Sequence, residues 1–135
     1  MLTMSAHAQG RDSDISGRWT SPRHGYVLDI TRCAAEWCGI MLKADKSCGA
    51  LALRLAAAPA GDGQQGLSGT LNLDPAAQTY QVTARTSGPA GGPPIGLTLI
   101  GNPNTPPQPM TRMILFHDNL VRGAEAVCQA DGKVS

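Results

Sequence analysis

The sequence predicts an all-β fold of about eight short antiparallel strands, either an up-and-down barrel or a two-sheet sandwich. Three observations carry this. Apolar residues recur at every second position through most of the chain, and no segment shows a convincing 3.6-residue period. Sixteen glycines and ten prolines punctuate these runs at short intervals. A chain of 135 residues with 41% hydrophobic content suits one domain built around one core. Each run has one apolar and one polar face, as a single-walled barrel requires.

Residues Gln9 to Asp14 are polar and read as a tail, and Ile15 to Thr20 opens the domain. In Tyr26-Val-Leu-Asp-Ile-Thr-Arg32, Tyr26, Leu28 and Ile30 share one face while Asp29 and Thr31 share the other. Trp37 to Lys43 follows as the second arm of a hairpin. Cys48 to Pro59 is rich in Ala and Leu and fits either a short helix or a strand running into a loop. Beyond the glycine-rich turn at 60–65, Leu67, Gly69, Leu71 and Leu73 alternate on one face. Asp74-Pro75 marks a turn. Thr79 to Arg85 then turns Tyr80, Val82 and Ala84 inward. A loop over 87–94 leads into a strand from Ile95 to Gly101. Four prolines make 102–109 a surface loop. Met110 to His117 is expected to be a strand, Asp118-Asn119 a turn, and Leu120 to Gln129 the closing strand. The sequence has no internal repeat.

Charged residues make up 16% of the chain and the formal net charge is +1. This balance disfavours nucleic acid and anionic membranes as partners. No run is long and apolar enough to span a bilayer as a helix. Ala6-His7-Ala8 fits the small-x-small pattern cleaved by signal peptidase, with Gln9 as the first mature residue. Residues 1–13 therefore read as a signal-peptide remnant and flexible tail, 14–130 as the domain, and 131–135 as a C-terminal tail. Cys33, Cys38, Cys48 and Cys128 are an even set, which favours two disulfides and a periplasmic or secreted location. Four cysteines allow three pairings. Cys33 and Cys38 flank a four-residue loop between two strand-like runs, where opposed positions bring side chains within bridging distance, leaving Cys48 for Cys128. A zinc site would need C-x2-C spacing or close histidines, and neither exists.

Gly17-Arg18-Trp19 lies within Asp14-Ile-Ser-Gly-Arg-Trp-Thr20. Arg32-Cys33 and Trp37-Cys-Gly-Ile40 follow across a short loop, and Leu67-Ser-Gly-Thr-Leu-Asn-Leu-Asp-Pro-Ala-Ala-Gln-Thr-Tyr80 comes later. Over roughly residues 14–85 this pattern resembles a family of small secreted bacterial proteins of unassigned activity with a lipocalin-like (calycin) barrel. Its members share a G-x-W start, an R-C…C-G hairpin and a D-P…G-x-T-Y turn. Ala77 stands here in place of the glycine usual in that turn, and the proline-rich loop over 102–109 departs from the pattern. The resemblance implies a single-domain, antiparallel up-and-down barrel of about eight strands. In it Trp19 closes the base and Gly17 leaves room for close backbone approach. No activity, cofactor or metal comes with it.

The inward set Tyr26, Leu28, Tyr80, Val82, Leu97, Leu99 and Ile114 would either fill the barrel or line a small apolar pocket, since eight strands permit both. Arg112 shares a face with Met110, Ile114 and Phe116. If that face points inward, its guanidinium needs Asp29, Glu125 or an anionic ligand, and otherwise it is solvated. Trp37 either shields the neighbouring disulfide or contacts a partner. His7, His24 and His117 are scattered and share no two-ligand motif. No catalytic motif is present. Two expectations follow. One is an exported, non-enzymatic binding module holding a small apolar or amphipathic ligand. The other is a filled-core protein that meets a periplasmic partner through its Pro/Gly-rich loops.

Overall fold

A computed structural model of the protein describes residues 14–59, 65–73, 79–89, 92–103 and 116–129. The eight strands are β1 Gly17–Thr20, β2 Val27–Cys33, β3 Glu36–Leu42, β4 Cys48–Pro59, β5 Gln65–Leu71, β6 Tyr80–Ser87, β7 Gly96–Pro103 and β8 Phe116–Ala124. Each pairs antiparallel with the next, and β8 pairs with β1 to close a single up-and-down barrel. Sandwich and barrel share the same strand pattern. Closure through β1 and β8 makes this one a barrel and removes the exposed edges of an open sheet. No helix is present among the described residues, so none there is long and apolar enough to cross a membrane.

The two-residue alternation sets the interior. Leu28 and Ile30 stand opposite Trp19 and Gly17, Leu53 opposite Leu71, and Ala84 opposite Leu99. These residues, with Leu55, Leu67, Val82, Leu97 and Leu120, form one buried cluster apart from Gly17. The Ala/Leu segment is strand, not helix. Its backbone pairs with β3 on one side and β5 on the other, and that satisfaction overrides local helix preference. Gly69 faces Leu55 across β4 and β5, and a Cβ there would collide with the Arg54 carbonyl. Only glycine permits the close approach.

Two expectations about β8 are corrected. Asp118-Asn119 is not a turn: β8 runs through it, with Asp118 opposite Leu99 and Asn119 opposite Thr98. Asp118 tolerates the strand because its carboxylate finds distant donors. Residues 110–115 lie outside the described residues. The closing strand also ends at Ala124, not Gln129, and residues 125–129 leave the barrel as an irregular strap.

Cys33 bonds to Cys38 and Cys48 to Cys128. The first pair does not sit at opposed positions, however. Cys33 stands opposite Glu36 and Cys38 opposite Thr31, so the bridge runs diagonally across a turn of only two residues, Ala34 and Ala35. Ala34 takes φ 60° in that turn, where a side chain is strained and glycine is not. Ala34→Gly should therefore stabilise the protein by about 0.5 kcal/mol after the added unfolded-chain entropy is deducted. A thermal melt checks this, and a lower Tm would contradict it.

The second disulfide pins the strap across the outside of β2 and β3. Beneath it, on the outer face of β2, lies the fully buried carboxylate of Asp29. Arg18 donates to it through Nε at 2.7 Å and Nη2 at 2.9 Å, and the Val127 and Cys128 amides donate at 2.8 Å each. The face assigned to Asp29 from the sequence is thus the outer one, but strap and ion pair together exclude water from it.

Candidate functional site

The two ends of the barrel differ in chemistry. The chain has five aromatic residues. Both tryptophans are buried in the core. Trp19 donates its indole N–H to the Ile15 carbonyl at 2.9 Å and carries the Arg122 guanidinium 5.2 Å above its ring. Trp37 is buried, with Arg32 4.6 Å over its ring, so it is a core residue and not a contact surface. The three remaining aromatics, Tyr26, Tyr80 and Phe116, gather at one end, near the β1–β2 connection.

That end holds a polar cluster in otherwise apolar surroundings. Along β8 the buried inward positions read Phe116, Asp118, Leu120, which aims a carboxylate into the barrel. Asp118 Oδ2 accepts from Ser21 Oγ at 2.7 Å and Tyr26 Oη at 2.7 Å, and lies 2.9 Å from His24 Nδ1. Asp118 Oδ1 accepts from the Asn119 amide at 2.9 Å. The β1–β2 connection presets this geometry. Ser21 and Tyr26 are joined by a backbone hydrogen bond of 2.9 Å, the Gly25 amide donates to the Ser21 carbonyl at 2.8 Å, and Gly25 takes φ 83°. The His24 amide donates to Ser21 Oγ at 2.9 Å, so a single tight turn delivers three side chains to one carboxylate.

Burial pushes the Asp118 carboxyl upward, but the hydrogen bonds from Ser21, His24 and Tyr26 outweigh it and hold the group below its ordinary range. The Tyr26 hydroxyl moves the other way. Burial first, and its bond to Asp118 second, raise it far above an ordinary phenol, so it stays a proton donor. Ser21 Oγ–H is directed at Asp118, not at an imidazole nitrogen, which is unlike an activated nucleophile. The arrangement is one of binding and positioning. His24 is the most accessible member, its side chain 42% exposed. Its ring stacks on Phe116 at 5.8 Å and Tyr26 at 6.2 Å, and Phe116 meets Tyr80 at 5.1 Å.

Of the residues singled out from sequence, Tyr26 and Tyr80 reach this mouth, half-buried against the core. Leu28, Val82 and Leu97 point inward but lie within the packed cluster, among neighbours that leave them almost no accessible surface. Gly17 and Trp19 are at the base. Arg112 and Ile114 lie outside the described residues. Asp29, considered as a partner for Arg112, is bonded to Arg18 instead. Ser21, His24, Phe116 and Asp118 form no motif in the sequence. Only the inward register of Phe116 hinted at one of them. No group of three His, Cys, Asp or Glu residues able to hold a metal occurs among the described residues. In comparisons with known proteins, no family model, curated protein or solved structure matches the chain.

Proposed function

We propose that the protein is an exported, non-enzymatic binding module of the lipocalin-like kind, holding a small amphipathic ligand at the mouth of its barrel. The carrying observation is Asp118. It is a carboxylate on the inner face of a barrel whose buried cluster is otherwise apolar among the described residues, and it accepts from two hydroxyls supplied by one turn. Buried polar networks restrict what packs beside them, and aromatic faces with a few fixed polar groups are the usual make-up of a small-ligand site. The ionised carboxylate favours a neutral or cationic ligand over an anionic one. Ligand depth is limited, because Leu28, Val82 and Leu97 close the interior below. Two disulfides agree with an oxidising compartment.

Titration with a fluorescent amphipathic amine and its fatty-acid counterpart tests this reading. The amine should bind and the acid should not, and Phe116→Ala should weaken the amine about tenfold through loss of one stacking face. Equal emission with and without protein, for both compounds, would sink the proposal.

A filled-core interaction protein is the second reading. It is favoured by exposed Ile95, Ile100 and Val121, which are 54%, 46% and 50% accessible along β7 and β8. Pull-down with only the 87–94 connection shortened tests it: β6 ends and β7 begins at the end away from the mouth, so amine binding should survive, and unchanged partner recovery counts against the second reading.

A further inference from the structure

At the base of the barrel, opposite the mouth, a groove of about 610 Å³ opens between the beginning of β1 and the first residues of the strap. β1 begins only at Gly17, paired with Ile30, so Thr31 on β2 has no neighbour on that side. Gly17, Gly123, Ala124 and Ala126 line the gap with small side chains or none. Gly17 takes φ 145° and lies close against Arg122. The backbone is strained for other residues, and a Cβ would sit 3.1 Å from Arg122 Nε.

Two polar atoms in this lining are buried without a hydrogen-bond partner: Thr31 Oγ1 and Arg122 Nε. Buried polar groups are nearly always satisfied, so an orphan on each side of one groove calls for a partner lying between them. Arg122 carries a full charge. Its Nη2 donates to the Asp14 carbonyl at 3.1 Å and its guanidinium faces Trp19, but among the described residues it has no carboxylate partner. Both orphans can donate, so their complement is an acceptor with paired oxygens. Glu125 on the rim adds one negative charge and disfavours a dianion.

We propose that this groove is a second binding site, for a monocarboxylate received by Arg122 Nε–H and Thr31 Oγ–H. The carboxylate belongs either to a small acid or to the C-terminus of a peptide. Either would lie between the small residues of the strap and β1.

The test is a nitrogen–proton correlation spectrum of the folded protein, following the Arg122 Nε–H and the Gly17 and Gly123 amides at constant ionic strength. The compounds are acetate, N-acetyl-trialanine, its C-terminal amide, inorganic phosphate and chloride. Acetate and the free-acid peptide should shift all three resonances saturably, while the amide, phosphate and chloride should not. Tighter binding of the peptide than of acetate assigns the source to a chain end, and equal binding assigns it to a free small acid. Removing one donor to a charged acceptor should weaken binding by roughly tenfold. Thr31→Val does this without touching the Arg122–Trp19 stack, and deleting an orphaned hydroxyl should leave Tm unchanged or higher. Arg122→Lys should abolish binding. The proposal is overturned if the amide or chloride shifts the same resonances, if phosphate binds more tightly than acetate, or if Thr31→Val binds acetate as well as the parent protein does.

Discussion

Combining Cys48→Ser with Cys128→Ala should lower the stability of the protein by about 4.5 kcal/mol, from closure of a loop with sequence separation 80. Alanine is chosen at 128 because that position is buried and a serine hydroxyl would lack a partner. For a chain this long the loss corresponds to roughly 15 °C in Tm. Cutting the Cys33–Cys38 bridge, with sequence separation 5, should cost only about 2 kcal/mol by the same reasoning. The mechanism is checkable apart from the size. If the long bridge acts by restricting the unfolded chain, its removal exposes more surface on unfolding, and the denaturant slope rises as the midpoint falls. A fall in midpoint with an unchanged slope would place the effect in the native state instead.

The strands and their order were legible because they are written locally, whereas the closure of β8 onto β1 is not. Alternation in Tyr26–Arg32, Leu67–Leu73 and Thr79–Arg85 states which side faces inward, and strand order then needs only short antiparallel connections. The mouth was less legible for the complementary reason. Asp118-Asn119 is a turn signal by composition. What keeps it in β8 is a set of donors from Ser21, His24 and Tyr26, separated from Asp118 by 97, 94 and 92 positions. No window of sequence contains both halves of that network. The strap has the same character: Asp29 alternates as an ordinary outward polar residue, and its burial depends on Val127 and Cys128 at the far end of the chain. Cys48–Pro59 stayed ambiguous because Ala and Leu satisfy helix and strand alike, and only pairing on both edges decides.

Asp29→Ala should destabilise the protein by about 3 kcal/mol, since it leaves a cation and two amide donors without their shared acceptor. The low end of the buried-pair range applies because the Arg18 side chain is 26% exposed and can recover hydration. Asp29→Asn keeps an acceptor and should lose about half as much. Burial raises the Asp29 carboxyl, but Arg18 and the Cys128 and Val127 amides more than reverse this, leaving it below its ordinary value of 3.8. A lowered carboxyl stabilises the fold above the unfolded-state value, and that contribution is lost as pH falls through the folded value. Parent stability should therefore drop as pH falls from about 5 toward 2, and Asp29→Ala should show a shallower drop. Some decline will persist, because Asp118 is lowered too. A denaturant midpoint series against pH on both proteins measures this, and parallel curves would refute it. Combined with the Cys48/Cys128 variant, the losses should fall short of their sum by about 1 kcal/mol. Without the disulfide a strap deprived of Asp29 can lift off and hydrate the Val127 and Cys128 amides, whereas the bridge holds them buried and unpaired. Strict additivity would mean that carboxylate and disulfide do not act on one strap.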